Sequence, residues 1–377
     1  MTKIAVVHDY FIQMGGAERV AEELHSIFPG SQMFTTVDLR QGGDAKTSWM
    51  QRLPITEANH RLLFLVYPFA VNSLDLSDFD LIISSTSGYA KGVKKKKGAL
   101  HICYCHTPMR WVWRYEDYAA REQFGRVGRL LLPRLLSGLK KWDLQAAQRP
   151  DLYIANSEVT ARRIKTFYNR DSVVIPPPID VDRFSFDESD EGYYLLLSRL
   201  LPYKRLDLAV EACRQLDRPL VVIGDGPARK SLEQISGPKT KFLGRQPDDV
   251  VARYAGRCRA LIFPGEEDFG MTPLEINAAG RPVIAYGSGG ARETVIDGET
   301  GVFFELQTPK NLIEAMTRFE SMVWDRQTLR RQAEKFGRDV FASRIHELVE
   351  GVATAALADE VYDILLRPSL TVQKNTA

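Results

Sequence analysis

At 377 residues the chain exceeds the roughly 250–300 residues over which a single hydrophobic core grows, so two domains are expected. Its 44% apolar and 26% charged residues exclude a largely disordered or fibrous chain. The formal net charge of +2 neither demands nor excludes a polyanionic partner, so local charge must decide.

In chain order, short aliphatic or β-branched runs recur, each ending in small or turn-forming residues. In the first half they are Ile4–Val7, Asp80–Ser84, Leu100–Tyr104, Leu152–Ala155 and Val173–Ile175; in the second, Tyr194–Leu197, Leu220–Ile223, Ala260–Phe263, Val283–Ala285 and Val302–Phe304. Continuous apolarity predicts parallel strands covered by helices on both faces. Helices fit between them by periodicity. Ala17, Val20, Ala21, Leu24 and Ile27 trace one stripe after Gly15-Gly16, and Leu206, Ala209, Val210 and Cys213 do the same after Lys204-Arg205. Pro176-Pro177-Pro178, followed by the polar stretch Asp187 to Glu191, marks a stiff exit from the first domain. The expected division is 1–178, 179–345, and a segment 346–377 whose helix packs back on the first domain. Trp324 to Leu366 reads as helix with few breaks, and the tail beyond Arg367-Pro368 as loose.

Cys103, Cys105, Cys213 and Cys258 lack paired metal-ligand spacing, which fits free thiols in a reducing compartment. Met1-Thr2-Lys3 runs straight into Ile4–Val7, too short for a signal-peptide core. The longest apolar stretch, Leu62 to Val71, is interrupted by Pro68 and falls short of the ~20 residues of a membrane span. A cytoplasmic protein is expected, with membrane contact only at the surface.

Chemistry concentrates in Pro264-Gly265-Glu266-Glu267-Asp268-Phe269-Gly270-Met271-Thr272-Pro273-Leu274-Glu275. This loop follows an apolar strand and leads into the small-residue helix Ile276-Asn277-Ala278-Ala279-Gly280, where free amides can meet an anion. Carboxylates beside a phosphate site must point elsewhere, which fits contacts with sugar or ribose hydroxyls. A second stretch, Ser198-Arg199-Leu200-Leu201-Pro202-Tyr203-Lys204-Arg205, sets a guanidinium and an ammonium at the mouth of a strand. There they can neutralise a departing diphosphate. His106, in Tyr104-Cys105-His106-Thr107-Pro108-Met109-Arg110, lies just past a first-domain strand, where α/β proteins place ligands. His8 and His101 are read as structural.

The Glu267 to Glu275 segment resembles the signature of glycosyltransferase family 4, large retaining enzymes of the GT-B fold: α/β, with two Rossmann-like domains facing a central cleft. The resemblance covers residues 1 to about 345 and departs from the family pattern at Asp268, where glycine is usual. It implies that Glu275 binds the donor ribose, that Glu267 sits by the transferred sugar, and that amides of Phe269, Gly270, Met271 and Thr272 hold sugar and phosphate. Arg199 and Lys204 would neutralise the diphosphate, and His106 would donate a hydrogen bond near the reacting carbon. Gly15-Gly16 resembles the family's N-terminal glycine loop, Gly287-Ser288-Gly289-Gly290 a loop closing on the diphosphate, and Gly224 and Gly244 turns near the base. No metal is required, because Arg199 and Lys204 do what magnesium would do. Glu267 as a covalent nucleophile and front-side departure assisted by the diphosphate both stay open, with the second preferred.

The stretches around Asp80–Ser85, Ala90–Val93 and Tyr104–Tyr115 look most like bacterial mannosyltransferases of polysaccharide or lipopolysaccharide assembly. The expected donor is therefore GDP-mannose and the expected acceptor a glycan or polyprenyl-linked lipid. A same-fold enzyme using another donor, such as a UDP-sugar, and a catalytically silent nucleotide-sugar-binding protein are the alternatives. Lys94–Lys97 and the basic, apolar segment Arg121–Arg149, with Leu130-Leu131-Leu132, Leu135-Leu136 and Trp142, fit either an anionic membrane surface or a solvated face. No nucleic-acid module matches.

Overall fold

The computed structural model describes residues 2–13, 15–57, 59–114, 126–187 and 189–354, with backbone alone at 126–133 and 353–354. Tyr115, the start of the basic segment at Arg121, the apolar run Val361 to Leu366 and the tail beyond Arg367-Pro368 lie outside these residues. The chain divides into one unit formed by Met1–Pro176 with Phe341–Ala377 and another formed by Pro177–Val340.

The first unit is a parallel sheet of β1 (Ile4–His8), β2 (Gln32–Thr35), β3 (Lys46–Thr47), β4 (Leu81–Thr86), β5 (Leu100–Cys105), β6 (Leu152–Ala155) and β7 (Val173–Val174), in the order β3-β2-β1-β4-β5-β6-β7. Alternate residues of each strand serve opposite faces. Val6, Ile83, Ile102 and Tyr104 pack under Val20, Ala21, Leu24 and Ile27 of the helix Gly16–Ile27. The same layer receives Phe341, Ile345, Leu348 and Val352 of the helix Arg338–Thr354. Ala5, Val7 and Ile82 face the other way, against Tyr67, Ala70, Val71, Leu136 and Leu139.

The second unit is a parallel sheet of β8 (Tyr194–Leu197), β9 (Leu220–Ile223), β10 (Thr240–Gly244), β11 (Ala260–Phe263), β12 (Val283–Tyr286) and β13 (Gly301–Phe304), in the order β10-β9-β8-β11-β12-β13. Tyr194, Leu196, Leu220 and Val222 form one core with the helices Leu206–Gln215 and Pro309–Glu320. Leu195, Val221, Leu261 and Val283 form another with Val251, Ala255 and Ile276.

Three strands escape the sequence pattern. β2, β3 and β10 carry polar residues such as Gln32, Lys46 and Lys241, and β3 and β10 are sheet edges. An edge strand is paired on one side only, so nothing forces a continuous apolar run there. The long helix expected from Trp324 is two helices, Arg326–Glu334 and Arg338–Thr354. Asp325 caps the first by accepting from the amides of Gln327 and Thr328. It closes where the amides of Phe336 and Gly337 turn back to Ala333 and Glu334.

Candidate functional site

Ligands of open parallel sheets bind beyond the carboxyl ends of the strands, where neighbouring strands connect in opposite directions. In the second unit that point lies between β8 and β11. The loop after β8 carries Arg199 and Lys204, and the loop after β11 carries Glu267. Lys204 Nζ and Glu267 Oε1 meet at 2.8 Å, both side chains largely buried at 16% and 17% exposure. Arg199 sits on the exposed part of its loop.

Glycines bring these loops together. A Cβ on Gly224, at φ +127°, would lie 1.9 Å from the carbonyl oxygen of Ser198, and one on Gly226 2.5 Å from that of Leu200. The amide of Leu200 donates to Asp225 O at 2.9 Å and that of Gly224 to Gly244 O at 2.8 Å, so the loops after β8, β9 and β10 brace one another. The backbone of Lys204 lies against Gly265, where an added Cβ would be 2.9 Å from its carbonyl oxygen. On the far side, the amide of Gly290 donates to Glu267 O at 2.9 Å, and a Cβ there would sit 2.2 Å from Phe269 Cα. Only side-chain-free backbone permits this approach. Gly224 and Gly244 thus act in the structure by seating the Arg199–Lys204 loop.

The helix after the acidic loop begins earlier than expected. Gly270, at φ +93°, turns the chain into Met271–Ala278, so Glu275 is helical and the amides of Met271 and Thr272 form the open first turn. Pro273 brings no N–H to that turn. Phe269 anchors the loop, buried with Leu274 and Ile179. Glu275 Oε1 lies 3.4 Å from Arg183 Nη2, and Arg183 Nη1 lies 3.1 Å from Asp248. Sequence reading missed Arg183. It lies on a short turn, Val181–Arg183, and no strand or glycine signal marks it.

In the first unit the corresponding point lies between β1 and β4. Asp9, also missed, is buried there and accepts from Thr86 Oγ1 at 2.7 Å and from the amides of Ser87, Tyr89 and Ala90 at 2.7–2.8 Å. His106 follows β5, 8% exposed, with Nε2 2.8 Å from Ser85 Oγ. Burial and the neighbouring His8 bring its pKa down to about 3, so the ring is neutral. His8 Nδ1 lies 3.0 Å from Ser85 O. Deeper in the sheet, His101 pairs through Nε2 with Ser84 Oγ at 2.8 Å, and burial brings it down to about 3 as well. The amide of Gly15 donates to Glu18 Oε2 at 3.1 Å, and Gly16 opens the helix that follows. A carboxylate therefore already occupies part of that glycine loop.

Of the basic segments, Lys95 pairs with Asp151 and Lys96 with Asp80 at 2.8 Å. On the helix Arg126–Ala146, Leu136 is buried in the core and Trp142 packs against it, so neither is available to a membrane surface; Leu135 and Leu144 are exposed. Two Asp-x-Asp triplets occur, Asp78-Phe79-Asp80 and Asp180-Val181-Asp182. Asp80 is tied to Lys96, and Asp180 lies 3.4 Å from Arg338. Among the described residues no group of three or more His, Cys, Asp or Glu is arranged to hold a metal ion, and no helix is long and apolar enough to cross a membrane.

Residues 14–183 match the family model described as Glycosyltransferase Family 4, and residues 179–336 the model described as Glycosyl transferases group 1. An uncharacterised glycosyltransferase of Methanocaldococcus jannaschii is 31% identical over 158 residues, 41% of this chain and 45% of the relative. A GDP-mannose-dependent alpha-(1-6)-phosphatidylinositol monomannoside mannosyltransferase of Mycolicibacterium smegmatis is 27% identical over 207 residues, 46% of this chain and 53% of the relative. The chain spans about half the length of the curated relatives it matches. Among solved structures, sucrose-phosphate synthase of Thermosynechococcus elongatus superposes with a TM-score of 0.75 at 18% identity, over 94% of this chain and 100% of that one.

Proposed function

Because the chain belongs to glycosyltransferase family 4 and folds as two Rossmann-like units of the GT-B type, we propose that it is a retaining hexosyltransferase. In this reading it moves mannose from GDP-mannose to a glycan or lipid-linked acceptor of bacterial polysaccharide assembly. The mannosyltransferase of Mycolicibacterium smegmatis supports the choice of donor. The observation that carries the reading is the Lys204–Glu267 pair at 2.8 Å between the loops after β8 and β11.

Lys204 and Arg199 balance the charge of the diphosphate, and the amides of Met271 and Thr272 hold a phosphate oxygen where the helix dipole favours an anion. Negative charge grows on the diphosphate as the anomeric bond breaks, so these groups act most strongly late in that step. Lys204 also offsets the charge of Glu267, which lets a carboxylate sit beside the phosphates and face sugar hydroxyls. Glu275, partly neutralised by Arg183, keeps acceptor capacity for a ribose. His106 supplies a neutral N–H donor. The arginine and lysine take the part a metal ion would take, and the chain works at the cytoplasmic membrane surface through its exposed basic and apolar residues.

Nucleoside diphosphate release measured over a panel of GDP- and UDP-sugars tests the donor. Lys204→Ala should lower kcat/KM about 100-fold, equivalent to ~2.7 kcal/mol, with the fold intact by circular dichroism. Normal transfer by the variant removes the diphosphate site from Lys204. A chelator should leave turnover unchanged, and vesicles rich in anionic lipid should retain the protein at low salt.

A further inference from the structure

We propose that Ser85 is a positioning residue that locks His106 in a single neutral tautomer, with the proton on Nδ1, so that the ring presents one fixed N–H donor beyond β5. The inference rests on the reading above, in which His106 meets the transferred sugar. It follows from where each hydrogen can go.

Ser85 is fully buried, so its hydroxyl proton needs a partner within the protein. Two ring nitrogens approach its oxygen: His8 Nδ1 at 3.2 Å and His106 Nε2 at 2.8 Å. His8 Nδ1 also lies 3.0 Å from the carbonyl oxygen of Ser85, which can only accept. That nitrogen therefore carries a hydrogen and cannot receive another. His106 Nε2 remains as the acceptor of the Ser85 hydroxyl. An uncharged imidazole that accepts at Nε2 bears its proton at Nδ1.

The surrounding backbone holds this chain of contacts in register. β1 and β4 place His8 opposite Ser85, and the amide of His106 donates to Thr86 O at 2.9 Å. Asp9, bonded to Thr86, Ser87, Tyr89 and Ala90, pins the end of β4 on the other side. One residue earlier the pattern repeats, Ser84 Oγ with His101 Nε2, but both of those residues are completely buried. That pair sits in the sheet interior, whereas His106 keeps a small exposed surface. With Nε2 occupied by Ser85, His106 acts as a donor and not as a base.

The test combines nitrogen-15 NMR of the histidine rings with kinetics. Wild type should show Nε2 of His106 as the unprotonated nitrogen, and Ser85→Ala should shift the ring toward a mixture of tautomers. The variant should lower kcat roughly tenfold or more, with donor KM within about twofold of wild type, and Ser85→Thr should restore much of the rate. Protonated Nε2 in wild type, an unchanged tautomer in Ser85→Ala, or an unchanged kcat in that variant overturns the proposal. Wild type that releases no nucleoside diphosphate from any donor overturns the transferase reading instead, while the ring signals still decide the tautomer.

Discussion

Lys91 and Asp143 form an ion pair at 2.6 Å with both side chains essentially inaccessible. Burial pushes the Lys91 ammonium down, but Asp143 more than offsets it and holds the charge in place. Asp143 Oδ2 also accepts from Trp113 Nε1 at 2.7 Å and from Tyr168 OH at 2.8 Å. Lys91→Met would leave that carboxylate buried without its counter-charge, and chemical denaturation should show a loss of about 3–5 kcal/mol. Pairing it with Asp143→Leu should recover part of the loss; full stability in the single variant would mean that the pair is dispensable. The buried histidines make a second prediction. His101 and His106 stay neutral down to about pH 3, whereas unfolded histidines take up protons below about pH 6.5. The unfolded chain thus binds more protons between those values, so stability falls as pH drops below about 6.5. The slope is about 1.4 kcal/mol per pH unit for each such ring. Melting curves from pH 7.5 to 5 should show this, and His101→Gln should flatten it by one ring's share. An unflattened slope would place the proton uptake elsewhere.

Among the elements, the loops after β8 and β11 are the ones we propose to hold the donor, and Arg183 pairs with Glu275 on the helix that follows the second of them. Replacing it with alanine leaves Glu275 without this counter-charge, so donor KM should rise about tenfold with kcat little changed, a loss of ~1.4 kcal/mol in binding alone. A fall in kcat at constant KM would instead assign Arg183 to the chemical step. Much of this site was legible beforehand because its strands are covered on both faces: an apolar run such as Ala260–Phe263 announces its own carboxyl end. Lys204 and Glu267 lie in the loops after such runs, and the resemblance to the family signature is what singles them out there. Arg183 and Asp9 escaped for a different reason. Their importance comes from partners 92 and 77 to 81 residues away, and no local period records contacts at that range. The start of the acidic-loop helix was placed too late because Met271-Thr272-Pro273 looks like turn sequence, although proline suits a first helical turn, whose amides lack intrahelical partners.

For the whole molecule, the decisive feature is the return of the chain to its first sheet. Phe341, Ile345, Leu348 and Val352 complete the layer over Val6, Ile83 and Tyr104, so the first unit is built from both ends of the sequence. Leu348 is fully buried, and Leu348→Ala should cost about 2–5 kcal/mol, lowering the melting temperature of the first unit. If calorimetry resolves two transitions, only one should move. A single transition that shifts as a whole would show that the units unfold together.

The same return dictates an order of events on the ribosome. Residues 177–340 emerge completely before residue 341 does, so the inserted unit can finish its sheet while the earlier-made strands still lack their last cover. The apolar row awaiting Phe341 to Val352 stays open to water for that interval. Synthesis that stalls between these points leaves a nascent chain with one finished half and one exposed half, the kind of intermediate that holding chaperones bind.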